Sequence, residues 1–123
     1  MAKIVLVSSS CVQLQILELM LGSSGHTVVC YCSAVSLEQK ILAVSPDLLL
    51  MDVTFEGGNG FQTCVELRKS IRFKKIPIIL CGDCEREDDK VWAIAKGASE
   101  YLYKPLDLVK LSTVIGSHLE LVA

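Results

Sequence analysis

Two side chains of opposite charge stand at the ends of apolar runs. Asp52 follows Leu48 to Met51, the most apolar run in the chain, and Lys104 follows Tyr101 to Tyr103 and precedes Pro105. A carboxylate can take up a group or help to hold a cation, and an ammonium can neutralise a phosphoryl oxygen or the carboxylate itself. Held together away from water, the two make a charge pair from which removal of one partner costs about 3 to 5 kcal/mol. The hydroxyls of Ser8, Ser9 and Ser10 follow a third apolar run, Ile4 to Val7, and are suited to capping a helix or, with the amides around them, to receiving an anion. Thiols are the other reactive class. Cys81-Gly-Asp-Cys84 has redox spacing, and Cys30 and Cys32 fall on one face of a strand, where side chains alternate. A redox pair of the thioredoxin kind opens a helix, and no second pair at zinc-site spacing accompanies this one, so reduced, partly buried thiols are the default.

These residues can meet only if the elements between them bring the ends of different strands together. Ile4 to Val7 reads as a strand buried on both faces, and Leu14, Leu17, Met20 and Leu21 then fall at helical spacing until the Gly22 to Gly25 turn. Thr27 to Cys32 is a second β-rich run, Leu37, Ile41 and Leu42 mark a short helix, and Leu48 to Met51 is a third strand that stops at Asp52 before the glycine-rich Glu56 to Gly60. Phe61, Val65 and Leu67 to Ile71 carry a helix, and Ile76 to Cys81 gives the fourth strand. The acidic segment Asp83 to Asp89 reads as a solvated loop and first helical turn leading into the fourth helix, Val91 to Lys96. Gly97 closes that helix, Tyr101 to Tyr103 is the fifth strand, and Asp107 caps a fifth helix through Leu119.

Parallel strands with right-handed helical crossovers predict an α/β fold: a flavodoxin-like (βα)5 doubly wound sheet of order 2-1-3-4-5, one domain over residues 1–123. Ligands of such sheets bind beyond the carboxyl ends of the strands, so Ser8 to Ser10, Asp52, Gly82 and Lys104 are expected to line one pocket.

Composition narrows the function. With 51% hydrophobic and 21% charged residues, the 123-residue chain is long enough for a packed core and unlike a disordered one. The net charge of −2 and thinly spread basic residues offer no field for nucleic acid. No apolar stretch approaches the roughly 20 residues of a membrane span, and Ile4 to Val7 is too short for a signal-peptide core. A cytoplasmic location is expected. The serine loop is also how a flavodoxin presents hydroxyls to a flavin phosphate, but it has no glycine, and Trp92 and the tyrosines lie outside loops that could sandwich a ring.

The segments Pro46-Asp-Leu-Leu-Leu-Met-Asp52, Gly57-Gly-Asn-Gly60-Phe61, Ile76-Pro-Ile-Ile and Gly97-Ala-Ser-Glu-Tyr101-Leu-Tyr-Lys104-Pro105 resemble a response-regulator receiver of two-component signalling over essentially the whole chain. The last of them is the most specific. The resemblance implies a signalling domain rather than an enzyme, with Asp52 at the position that accepts phosphate from a histidine kinase and Lys104 at that of the lysine that pairs with it. Tyr101 matches the aromatic that rotates inward on phosphorylation, and Thr54 supplies the backbone carbonyl that helps to hold magnesium beside Asp52. Receivers often precede output domains, and the start at Met1 suggests an N-terminal module that admits a continuation beyond Ala123.

The chain departs from the family at decisive positions. Ser8 and Ser9 replace the acidic pair that holds magnesium, Gly82 replaces a serine or threonine, Glu56 a common proline and Asn59 a common aspartate. Magnesium binds through hard, usually anionic oxygens, so little affinity is expected; Glu56 and Asp83 are the acids near enough in sequence to substitute. Without a hydroxyl at Gly82, only its amide is left to meet a phosphoryl oxygen. The sequence therefore favours an atypical receiver, or pseudo-receiver, that acts through protein–protein contacts without standard aspartyl phosphorylation. In it Asp52 and Lys104 are a structural pair, Tyr101 is a packing residue and no cofactor is needed. A phosphorylatable receiver using magnesium is the alternative, and a thiol redox sensor the second. Val91 and Ile94 are expected to face the core, which turns Trp92 outward as an interface anchor on the face made by the fourth helix, fifth strand and fifth helix.

Overall fold

A computed structural model describes residues 2–83 and 87–122. Among them, parallel strands β1 (Lys3–Val7), β2 (Thr27–Tyr31), β3 (Leu48–Asp52), β4 (Ile78–Gly82) and β5 (Glu100–Tyr103) form one sheet in the order β2-β1-β3-β4-β5. Helices α1 (Cys11–Ser23), α2 (Leu37–Val44), α3 (Gly60–Arg68), α4 (Glu87–Ala95) and α5 (Leu108–Val122) alternate with them. This is the flavodoxin-like arrangement that the alternation predicts.

Side chains alternate across a strand, so the sheet divides the interior in two. Val5, Val7, Leu49, Met51, Ile78, Leu80 and Tyr101 face α2, α3 and α4, where they meet Leu37, Ile41, Cys64, Leu67 and Ala93. Ile4, Leu6, Leu48, Leu50, Ile79, Cys81 and Leu102 face α1 and α5, packing on Leu17, Leu21, Leu111 and Ile115. Every residue of β3 and β4 is buried, as their uninterrupted apolar runs require. Ser10 caps α1 by accepting from the Gln13 amide (3.2 Å), and Asp107 caps α5 by accepting from Val109 N (3.0 Å) and Lys110 N (3.1 Å).

Four local expectations need correction. In α4 the core-facing residue is Ala93, fully buried, whereas Val91 and Ile94 are 61% and 48% exposed. Apolar residues at helical spacing define a face but not its direction; here the small side chain lets the helix lie close to β5, and the Tyr101 ring shares that layer of the core with Ala93. Helix α3 stops at Arg68, and Ile71, expected inside it, opens a short 3₁₀ turn (Ile71–Phe73) with 85% of its surface exposed while Phe73 is buried. The glycine-rich loop after β3 is a small antiparallel hairpin, Thr54–Phe55 against Gly58–Asn59. Cys32 lies past the end of β2, so it does not share a strand face with Cys30.

Arg68 ties the end of α3 to two loops. Its guanidinium donates to the carbonyls of Phe73 (2.6 Å), Ile76 (2.7 Å) and Gly97 (2.9 Å) and approaches Ser99 Oγ at 3.4 Å. Glycine is needed at position 60, where a Cβ would lie 2.5 Å from the Asp52 carbonyl oxygen, so that α3 can start directly against the end of β3.

Candidate functional site

The register of the sheet brings four elements to Asp52. β1 pairs with β3 as far as Val7 and Met51, which leaves Ser8 and Asp52 side by side just beyond. β3 pairs with β4 at Asp52 and Cys81, and β4 with β5 at Gly82 and Tyr103, so Lys104 emerges at the same end. The fourth element is α1. Its N-cap at Ser10 sets the first turn over the strand ends and points Gln13 inward.

Together they enclose the carboxylate, which is 5% exposed. Asp52 Oδ2 accepts from Ser8 Oγ at 2.6 Å and from Lys104 Nζ at 2.9 Å, and Oδ1 accepts from Gln13 Nε2 at 3.1 Å. Ser8 Oγ in turn accepts from Ser10 N (3.1 Å) and Gln13 Nε2 (3.2 Å), so the hydroxyl has its own acceptor and donors in place. The short O–H···O⁻ contact is in the range of charge-assisted bonds. One carboxylate and one ammonium leave the cluster balanced, with a hydroxyl and an amide completing it.

Ser9 does not join this cluster. Its Oγ accepts from the Glu56 amide at 2.7 Å and lies 3.5 Å from the Cys32 carbonyl, while the Glu56 carbonyl accepts from Ala34 N at 2.9 Å. Ser9 therefore stitches the hairpin loop to the segment after β2. Thr54 is exposed and pairs with Asn59 across that hairpin. Glu56 and Asp83 are exposed, and among the described residues no group of three or more His, Cys, Asp or Glu side chains could share a metal ion. The donor set around Asp52 does not fit magnesium: the groups aimed at the carboxylate end in O–H, NH₂ and NH₃⁺, where a hard dication needs further anionic oxygens.

Gly82 is buried, and its carbonyl accepts from Lys104 N at 2.8 Å. A Cβ built there would overlap Tyr101 Oη and stand 2.8 Å from Cζ. The Tyr101 ring, 4% exposed, thus fills the volume that a side chain at 82 would take, with Tyr103 against it edge-on at 5.5 Å. Trp92 faces out as expected, 52% exposed, with Lys96 Nζ 4.3 Å from its ring centroid. Of the thiols, Cys84 lies outside the described residues, and Cys11, Cys30, Cys32, Cys64 and Cys81 carry no disulfide. Burial pushes the Cys30 thiol up to about 11, with the adjacent Glu18 adding to it, and burial likewise raises Cys64 and Cys81.

Sequence reasoning placed Ser8 to Ser10, Asp52, Gly82 and Lys104 in one pocket; the structure turns Ser9 away to Glu56 and brings in Gln13, which that reasoning missed. Its signal was positional: three residues after an N-cap serine, a first-turn side chain can reach the ends of the strands that precede it.

A parallel five-stranded α/β sheet with a carboxylate and a lysine at its carboxyl edge has known counterparts. The family model for the response regulator receiver domain matches residues 4–116. The chain belongs to this family. As a receiver of two-component signalling it is 36% identical to Protein PilH of Pseudomonas aeruginosa over 107 residues, covering 87% of this chain and 88% of that protein. Among solved structures, the receiver superposes on the N-terminal domain of the nisin resistance regulator NsrR, a lantibiotic response regulator, with a TM-score of 0.83 and 32% identity, covering 95% of this chain and 97% of that one. It also matches the BeF3-activated N-terminal receiver domain of Klebsiella pneumoniae RstA with a TM-score of 0.87 and 26% identity, again over 95% of this chain and 97% of the other. Receivers are in general signalling domains that meet histidine kinases and other signalling proteins, and they bind magnesium when they are phosphorylatable. Among the described residues of this receiver, no helix is long and apolar enough to cross a membrane.

Proposed function

We propose that this receiver, taken as one domain over residues 1–123, is a cytoplasmic protein-interaction module of two-component signalling whose output does not depend on magnesium-assisted phosphorylation of Asp52. The observation that carries this reading is the saturated carboxylate: Ser8, at a position where the family resemblance places an acidic, metal-holding side chain, donates to Asp52 together with Gln13 and Lys104. Asp52 and Lys104 then act as a structural pair that locks the ends of β3 and β5 together. Contact with partner proteins falls to the α4-β5-α5 face, where Trp92 is the exposed anchor and Val91 and Ile94 extend an apolar surface around it. Neither nucleic acid nor membrane is a partner in this reading.

The second reading keeps Asp52 as a phosphoacceptor for a histidine kinase, with Thr54 and Asp52 as the remaining magnesium-binding positions. Lys104 at 2.9 Å favours it, as does the likeness to RstA, whose receiver was solved in a BeF3-activated form. An amide NMR titration with magnesium and then beryllofluoride separates the two. The proposal expects no saturable shifts at Asp52, Gly82, Tyr101 and Lys104. Saturable shifts that start at Asp52 and spread to Tyr101 make the domain a phosphorylation switch.

A further inference from the structure

We infer that Gly82 and Tyr101 form a matched lock that holds the α4-β5-α5 face in one conformation irrespective of the state of Asp52. Space is the first constraint. Gly82 ends β4, and the position its Cβ would take is already occupied by the end of the Tyr101 side chain, with Cζ 2.8 Å and Val53 Cγ2 3.3 Å away. Any other residue at 82 displaces the ring, and the ring in place admits no other residue.

The ring is also part of the core. Tyr101 belongs to the same buried cluster as Ala93 of α4, Ala98 and Leu80, and Ala93 is fully buried. A ring that swung out would leave an unfilled cavity under α4, because neither glycine nor alanine reaches into the space. The position of α4, and with it the presentation of Trp92, Val91 and Ile94, is therefore set by the inward ring.

Position 82 is the natural relay between the two ends of this system. Its predecessor Cys81 pairs with Asp52 in the sheet, and its own Cβ site touches Tyr101. Glycine leaves no side chain there that could move toward a group on Asp52 and make or remove room for the ring. The lock itself stands on geometry; its consequence, a docking face that is always presented, rests on the proposed role of that face in partner binding.

The test is the solvent accessibility of the Tyr101 ring, read by tetranitromethane nitration and peptide mass spectrometry with half-buried Tyr31 as the internal reference. In the natural chain Tyr101 is expected to be protected relative to Tyr31. It is expected to stay protected with magnesium and beryllofluoride present, whether or not amide shifts show that Asp52 has bound the mimic. Shifts at Asp52 with Tyr101 still protected show that the carboxylate takes up the mimic without moving the ring and support the lock; loss of protection on binding overturns the lock. Gly82→Ala is expected to raise Tyr101 nitration about tenfold, as the exposed rotamer goes from minor to dominant. Tyr101 remaining protected in a folded Gly82→Ala protein refutes the lock. If Gly82→Ala does not fold, Gly82→Ala with Tyr101→Leu is expected to recover the native far-UV spectrum, and failure of that double variant to fold refutes the lock as well.

Discussion

If Asp52 is a structural group, its removal must destabilise the fold. The substitution Asp52→Ala takes one acceptor away from three donors at once: the Ser8 hydroxyl, the Gln13 amide and the Lys104 ammonium. Breaking a buried ion pair from one side costs about 3 to 5 kcal/mol. The Lys104 side chain is 21% exposed against 7% for Asp52, so the orphaned ammonium recovers part of its hydration. Ser8, 1% exposed, recovers none, and an unsatisfied buried hydroxyl costs about 1 to 3 kcal/mol within that total. The low end, about 3 kcal/mol, is the expected loss. For a domain of this size it lowers the melting temperature by about 10 to 15 °C, and the urea midpoint by about 2 M at a slope near 1.5 kcal/mol/M. Urea unfolding followed by far-UV circular dichroism reads it directly. The sign is what discriminates. In a site crowded with carboxylates, neutralising one relieves repulsion and stabilises the protein, whereas here it strands a cation. An Asp52→Ala protein as stable as the natural one, or more stable, refutes the reasoning. So does a double-mutant cycle with Lys104→Met that shows no coupling, since residues in direct contact couple by about 0.5 to 3 kcal/mol.

Replacing Ser8 and Ser9 together by aspartate is expected to create magnesium binding detectable by calorimetry, and to destabilise the protein when magnesium is absent, because a second carboxylate then meets Asp52. Arg68→Met leaves the part-buried carbonyls of Phe73, Ile76 and Gly97 without their donor and should cost about 1 to 3 kcal/mol in urea unfolding. The raised thiols set an alkaline limit: a folded-state value above the unfolded one contributes stability that is complete below about pH 8.5 and lost as pH rises. For Cys30 that loss runs up to about 11, so melting temperatures should fall across this window and a Cys30→Ser variant should fall less. In alkylation with mass readout at neutral pH, exposed Cys11 and Cys32 should react first and buried Cys64 and Cys81 last. Trp92→Ala should change stability by no more than about 0.5 kcal/mol and weaken capture of partner proteins; unchanged binding moves the docking face elsewhere.

Much of this was readable in the chain because of where its apolar runs stop. Leu48 to Met51 ending at Asp52, and Tyr101 to Tyr103 ending at Lys104, place both charges at strand ends, and parallel topology then leaves them no choice but to share an edge. Gln13 was not readable in the same way, since a glutamine in a first helical turn is most often a solvated residue; only the cap at Ser10 and the closeness of α1 to β3 turn it inward. The direction of α4 was hidden for a related reason. Val91 and Ile94 outrank Ala93 in hydrophobicity, yet Ala93 is the one that enters the buried cluster holding Tyr101, a fact of three-dimensional packing that periodicity does not carry. The hairpin after β3 depends on long-range ties, Glu56 to Ser9 and Ala34, that local composition cannot announce.

The overlap between position 82 and the Tyr101 ring also bears on the lineage of the domain. A descendant that regained acidic side chains at 8 and 9 would still lack a hydroxyl at the end of β4, and a single change of Gly82 to serine places the new Cβ on atoms already there. Either the ring is displaced or residue 101 changes as well, and on its own that change empties part of the core. The route thus passes through an intermediate with a displaced ring or an underfilled core in either order, which makes glycine at 82 a ratchet: easily kept, hard to reverse by single steps, and a reason for positions 82 and 101 to vary together among the relatives of this receiver.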